Sequence, residues 1–490
     1  MKSMKDFWPV RLKEKVTVCV QPTIGQMSSY VLLEQEDWFE DEMSFVRELV
    51  TPEMYAFDIG ANHGVYALSI AARMQTGHIW AFEPTVAPGK MLEKSIELNG
   101  FTPRITWIHA GLSDQAATVE ISTSMNSELN SLYGQSGSRE TIRLESLDAF
   151  IKANAIARDI SFVKLDAEGE EIKILKGGRE FFTRQSPLVM FELKHGHEVN
   201  HGLIEAFEEL GYQIYHLLND VNILVEFGHS SQDDILNLFA CKPDRAEELA
   251  RRGLLARKTD IDAVSPAEMV SGTGWADLLR HYPWFEKCQN DWQTAASGIP
   301  ESYQKALCAS LMLHDKSLEA ARRVALLEFA EQQLENLLQQ PGGAHYSAWL
   351  LKIHLLHVRN RRATCLNLSI QLLQAFDSAP APAWPFILPG RRFFSRKPME
   401  NAGRWLHAII HEFIEYRQSF SSYFQADPLA SLQRFASIPE YDIEIERRRI
   451  LAAVRAGRQV SITVPCGLIE NGYPNSLIWR QILSLQPLTD

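Results

Sequence analysis

Cysteine is sparse in this chain, and no two cysteines are close. Cys19, Cys241, Cys288, Cys308, Cys365 and Cys466 are scattered through 490 residues without a C-x-x-C pair. That spacing argues against a disulfide framework or a structural zinc site and fits a reducing cytosol. No run of eighteen apolar residues occurs, so no membrane span is expected. Met1-Lys2-Ser3-Met4-Lys5-Asp6 lacks the apolar core of a secretory signal, and the expected location is cytoplasmic. Positive charge is in deficit: 49 Lys and Arg against 61 Asp and Glu give a formal charge of −12. A broad basic surface for nucleic acid is thereby excluded. No Gly-x-x-x-x-Gly-Lys-Ser/Thr occurs, which excludes the usual nucleotide-hydrolysing loop.

The length predicts two or three domains, and a 46% hydrophobic content is ample for ordinary cores. Val16–Val20 and Tyr30–Leu33 read as strands around a Pro-Thr-Ile-Gly turn region, and Trp38 to Val50 as a helix. Apolar strands then alternate with helices from residue 55 to about 241, predicting an α/β fold with a largely parallel, Rossmann-like sheet and helices on both faces. Beyond Pro243 the pattern is helical. Leu337-Leu338-Gln339 recurs as Leu372-Leu373-Gln374, an offset of 35 (372 − 337). Tetratricopeptide pairs repeat at ~34 residues, so TPR-like stacking and an irregular bundle are both open. The expected division is 1–50 as a hairpin and helix on the catalytic part, 51–242 as the catalytic domain and 243–490 as a helical domain.

The most informative stretch is Ala56-Phe57-Asp58-Ile59-Gly60-Ala61-Asn62-His63-Gly64, a strand entering a glycine turn. Ligands of open α/β sheets bind outside such strand ends. A second strand, Ile79-Trp80-Ala81-Phe82, ends at Glu83, whose carboxylate can hold the hydroxyls of a ribose. The turn has one glycine fewer than a dinucleotide fingerprint, and Asn62 and His63 stand where phosphate needs room. S-adenosylmethionine has no phosphate, and Asp58 can accept from its amino group. His63 is expected to face solvent. A third strand runs into Asp166-Ala167-Glu168-Gly169-Glu170-Glu171, placing Asp166 and Glu168 at the mouth of the pocket. Glu170 and Glu171 fall in the first turn of the next helix, where negative charge complements the helix dipole.

Asp58-Ile59-Gly60-Ala61-Asn62-x-Gly64, Ala81-Phe82-Glu83-Pro84, Leu112-Ser113-Asp114, Leu147-Asp148 and Lys164-Leu165-Asp166-Ala167-Glu168-Gly169-x-Glu171 occur in this order. Together they resemble the FkbM family of S-adenosylmethionine-dependent methyltransferases, over roughly residues 40–242. The family usually has Val or Ile where Ala167 stands. The resemblance implies a class I methyltransferase fold and O-methylation of a sugar, glycan or secondary-metabolite hydroxyl. It implies that Asp58, Gly60 and Asn62 wrap the methionine part, with Gly64 in the same turn. Glu83 would hold the ribose, and Asp114 would approach the adenine edge.

An alcohol is a poor nucleophile at neutral pH, so its proton must be removed or weakened. One candidate is a base among Asp166, Glu168, His195 and His197. The other is magnesium on Asp166 and Glu192, completed by Glu168 or His195. In the helical part, Arg391-Arg392, Arg396-Lys397 and Arg447-Arg448-Arg449 read either as a solvated face or as a binder of carrier phosphates. Trp384 and Phe386 can stack on a sugar or pin the Pro-rich loop. The helical part itself is expected to serve substrate delivery, homodimerisation or docking to a glycan-assembly partner. Rival readings are methylation of protein or small carboxylates, a helical-repeat interaction protein with a vestigial methyltransferase fold, and, more distantly, a nicotinamide oxidoreductase.

Overall fold

The computed structural model describes residues 6–123, 138–195, 198–228, 235–295, 298–340, 345–375, 382–398, 401–438, 441–458 and 467–484. Five short apolar strands lie in parallel: β1 (Tyr55–Ile59), β2 (His78–Phe82), β3 (Ile105–Ile108), β4 (Phe162–Leu165) and β5 (Leu188–Glu192). The sheet is completed by β6 (Gln213–Leu218), β7 (Ile223–Glu226) and β8 (Asn237–Cys241). The spatial order is β7-β6-β8-β5-β4-β1-β2-β3, with β8 antiparallel between β5 and β6. The hairpin of β6 and β7 is antiparallel.

Successive residues of the strands serve opposite faces. Ala56, Ile79, Phe162 and Met190 pack with helices Val65–Ala71 and Val86–Asn99. Phe57, Val163, Val189 and Phe191 pack with Leu147–Ala153, Glu171–Gly177 and His201–Glu209. Both faces are therefore covered, which is why the strands read as near-continuous apolar runs. The order reverses between β1 and β4, and the helices that follow these two strands leave to opposite faces. That opens a crevice at their carboxyl ends. A separate sheet of Gly111–Ser113, Ala117–Thr123 and Ser138–Ser146 stands beside the crevice.

The N-terminal segment departs from expectation. The partner of Thr17–Val20 is Trp8–Arg11, and Tyr30–Leu33 lies inside the helix Met27–Gln35. Ser28 to Glu34 are all buried, so this helix lacks the polar face that would have betrayed its period. The predicted helix at Trp38–Val50 shortens to Glu42–Leu49, leaving Asp37 to Asp41 as an irregular strap.

The region after residue 243 is helical. Glu301–Met312 packs on Ala320–Leu338, and Tyr346–Val358 on Arg362–Ala375 and, through it, on Ala402–Gln418. The helices between 258 and 295 were not expected; Lys258–Asp262, Pro266–Val270 and Trp275–Leu279 each offer too few residues to show a period, and Phe285–Ala295 was missed. Trp384 stacks on His345 with centroids 3.9 Å apart, and Phe386 is fully buried beside Trp284, so both pin the segment from 382 onward to the bundle. No helix among the described residues is long and apolar enough to cross a membrane.

Packing crosses residue 243. Leu218, Val221, Ile223 and Val225 share a core with the helices. Ile450, Leu451, Trp479 and Ile482 share another with Trp8, Val10 and Tyr30. The basic run on Ile443–Arg455 is not solvated: Arg447 and Arg448 are each 1% exposed. Arg448 lies 3.3 Å from Glu34, 3.5 Å from Glu415 and 3.3 Å from Glu444. Arg447 donates to Glu34 O at 2.6 Å, and Arg392 to Glu444 at 3.0 Å. Burial works against the Glu444 carboxylate, but Arg392 and Arg448 outweigh it and bring its pKa down to about 2.

Removing one partner of a buried ion network leaves uncompensated charge. Arg448→Met is therefore expected to lower the unfolding free energy by about 3–5 kcal/mol in urea titrations at pH 7. Glu444 has a depressed native pKa, so its contribution is complete above its ordinary value of 4.5 and fades as pH falls towards about 2. Glu444→Gln should flatten the stability–pH curve in that window; an unchanged acid limb would refute this assignment.

Candidate active site

The crevice is bounded by the β1 turn, the β2 end and the β4 end, with the strap as a fourth wall. Gly60 has φ +76°, and a Cβ there would sit 1.7 Å from Asp166 O. The loops after β1 and β4 thus touch through a glycine that no other residue can replace without displacement. Gly64 has φ +75° and faces Leu92, which a Cβ would meet at 2.2 Å. Asn62, with φ +49°, turns its backbone N–H to Glu83 Oε2 at 3.0 Å.

Glu83 is 6% exposed and lines the crevice. Its Oε1 accepts from Thr85 N at 2.8 Å and Thr85 Oγ1 at 2.5 Å. Burial raises its pKa, opposed by those bonds. Phe82, Pro84, Leu112, Ile121, Ile142 and Leu144 continue the lining with apolar surface. A carboxylate fixed beside an apolar slot fits an adenosine, with Glu83 towards the ribose and the slot towards the base.

Asp58 is placed differently. It is buried behind the turn, accepts from Ala67 N at 3.1 Å through Oδ2, and is not among the crevice-lining residues. Its Oδ1 is buried with no hydrogen-bond partner, and burial raises its pKa against the pull of Lys164. Asp58 therefore ties the turn to the helix that follows. Asp114 is exposed and also outside the lining; Ser113 Oγ beside it donates to Glu170 Oε2 at 2.8 Å.

Asp166 and Glu168 do line the crevice, together with Lys164, Glu40 and Tyr66. Lys164 is 6% exposed and donates to Asp166 Oδ2 at 2.9 Å. Burial disfavours its charge, but Asp166 and Asp58 outweigh burial and hold its pKa above the usual lysine range. Tyr66 Oη donates to Glu40 Oε2 at 2.5 Å, and Trp38 Nε1 to Glu40 Oε1 at 3.0 Å. Burial raises the Glu192 pKa, and Asp166 and Glu168 raise it further. Glu171 has a structural task, accepting from Ala167 N at 2.9 Å and Gly169 N at 3.1 Å.

His63 is 3% exposed rather than solvent-facing, 3.2 Å from Ser28 Oγ, and burial lowers its pKa to about 4. His195 pairs through its backbone with Glu198, and its side chain and all of His197 lie outside the described residues. The described members of the magnesium set are not gathered into one site. Asp166 is already matched by Lys164, Glu192 is outside the crevice lining, and no group of three or more His, Cys, Asp or Glu among the described residues is arranged to hold a metal.

Sequence reasoning missed Glu40, Tyr66 and Lys164. Lys164 carried a signal, an ammonium in an otherwise apolar buried strand. Glu40 carried none, because tertiary folding alone brings its strap to the crevice. Gly60→Ala combines a positive φ with a backbone clash, so it is expected to cost more than about 2 kcal/mol. Thermal unfolding that matches wild type would show that the two loops can separate freely.

Residues 58–214 match the family model described as the methyltransferase FkbM domain. No curated protein matches the chain. Among solved structures, the methyltransferase FkbM of Methylobacillus flagellatus KT is 17% identical over 39% of this chain and 44% of that one, with a TM-score of 0.27. The chain thus spans less than half the length of that protein. A SAM-dependent O-methyltransferase of Thermotoga maritima is 12% identical over 41% and 64%, with a TM-score of 0.26. The precorrin-6y C5,15-methyltransferase of Geobacter metallireducens is 10% identical over 41% and 88%, with a TM-score of 0.25. The family match falls on the β1 turn, the β2 carboxylate and the β4 end described above, and what it shows is a likeness of residues 58–214 to the methyltransferase FkbM domain.

Proposed function

We propose that the chain is an S-adenosylmethionine-dependent O-methyltransferase acting on a hydroxyl of a sugar, glycan or secondary metabolite. The observation that carries this reading is the Lys164–Asp166 pair at the end of β4, facing the crevice that Glu83 closes on its far side. Glu83 and the Gly60–Gly64 turn would hold the cofactor. Bound S-adenosylmethionine supplies an electrophilic sulfonium methyl.

The remaining work falls to the protein. Asp166 would accept the proton of the acceptor hydroxyl as that oxygen attacks the methyl, with the sulfonium of the bound cofactor supplying the leaving group. Lys164 fixes one oxygen of Asp166 and leaves the other to the acceptor. Alignment contributes most of the acceleration, since the methyl is already activated. Asp166, Asp58 and Glu40 act on one buried ammonium, Glu168 lines the same crevice, and this negative surround favours a neutral alcohol over a carboxylate acceptor. That weighs against small-carboxylate methylation.

Calorimetry should give micromolar S-adenosylmethionine binding. Glu83→Ala, which removes a charged hydrogen-bond acceptor, should weaken it by roughly 10- to 100-fold. Magnesium should change neither binding nor methyl transfer from labelled cofactor. Asp166→Asn should retain cofactor binding and lose about 10²- to 10⁴-fold in turnover. No binding under any condition would defeat the enzyme reading and leave a helical interaction protein with a vestigial fold. Restoration of activity only by magnesium would replace the base with a metal.

A further inference from the structure

A second cavity, of about 590 Å³, lies between the strap and the helical half. That volume falls within the roughly 300–1,000 Å³ of small-molecule sites. Trp38 and Glu40 line both this cavity and the transfer crevice, so the strap is a wall common to the two spaces.

The walls are ionic but paired. Arg417 faces Asp41 at 3.3 Å, Arg392 faces Glu444 at 3.0 Å, and Arg447 faces Glu36 at 3.3 Å. Such walls offer fixed donors beside fixed acceptors without a surplus charge to select an ion. Among these groups stand half-exposed aromatic rings. Trp38 and Phe39 have centroids 4.8 Å apart, and Phe39 and Phe420 5.4 Å apart. Arg362 lies 3.6 Å over Phe420, and Arg392 lies 3.4 Å over Tyr416. Those two ring faces are taken by guanidinium groups; the wall presents aromatic surface from Trp38 and Phe39 beside charged donors and acceptors, a mixture that suits the C–H faces and hydroxyl edge of a pyranose.

We propose that this cavity is a second acceptor site, which holds the remote units of a neutral oligosaccharide while its reacting hydroxyl reaches the crevice past Trp38 and Glu40. The inference rests on the methyltransferase reading for the reaction, but its binding step can be tested separately. The helical half, outside the matched residues 58–214, thereby sets which acceptor is used.

The test is saturation-transfer NMR on the full chain with cellotriose, maltotriose, chitotriose and glucose as probes, with cofactor calorimetry in parallel. At least one trisaccharide should bind about tenfold more tightly than glucose. Phe420→Ala and Arg392→Ala should each weaken it about fivefold or more, with S-adenosylmethionine affinity unchanged as the control for folding. If no trisaccharide binds, or if both variants bind as well as wild type, the proposal is overturned. Sugar binding without cofactor binding would keep the cavity assignment and defeat the methyltransferase reading; cofactor binding without sugar binding would do the reverse.

Discussion

Arg448 is the constraint on which the rest of the arrangement depends. A guanidinium 1% exposed must be matched by carboxylates, and it is matched by Glu34 from the N-terminal helix, Glu415 from Ala402–Gln418 and Glu444 from its own helix. Three segments remote in sequence are thereby held at one point. The carbonyl of Glu34 takes a further bond from Arg447, and Glu36 accepts from Tyr473 Oη at 2.5 Å and Asn475 Nδ2 at 2.9 Å. The chain leaves this anchor directly into the strap that carries Trp38 and Glu40 to the crevice. The wall opposite the β4 end is thus positioned by residues more than 400 places away in sequence.

Electrostatics in the crevice follows from a similar imbalance between burial and charge. Asp58, Glu40 and Glu83 are all raised by burial, and Lys164 is the cation that offsets two of them. Asp58 and Asp166 both act on Lys164, but only Asp166 lines the open side. One ammonium therefore serves a carboxylate behind the turn and another that faces the crevice. Replacing it would disturb both.

Most of the sheet was legible because each buried strand is an apolar run that stops at a polar residue. Asp58, Glu83 and Asp166 mark the ends of three strands, and all three strands are where the runs predicted them. The ends could be found, but the direction of each side chain could not. Asp58 and Glu83 look equivalent in sequence, yet one turns behind the glycine loop and the other into the crevice. Tyr30–Leu33 misled because a helix buried on all sides has no exposed polar stripe, so the short apolar run Tyr30-Val31-Leu32-Leu33 reads as a strand. Arg447-Arg448-Arg449 misled for the converse reason. A basic run on a helix looks the same whether water or buried glutamate receives it, and the partners Glu34 and Glu415 are too distant in sequence to pair by eye.

The helical half is bound up with the folding of the catalytic half. Without it, Leu218, Val221, Ile223 and Val225 at the β6–β7 hairpin would face water. Arg323 would no longer donate to Val221 O at 3.2 Å, nor Val358 O accept from Asn219 N at 2.8 Å. Glu34 would keep its burial only if it gave up its charge, because burial already raises its pKa and Arg448 is what opposes that rise. The strap would then lose its anchor and the crevice its fourth wall. The position of the wall that faces the β4 end therefore rests on the same buried contacts that join the helices to the sheet.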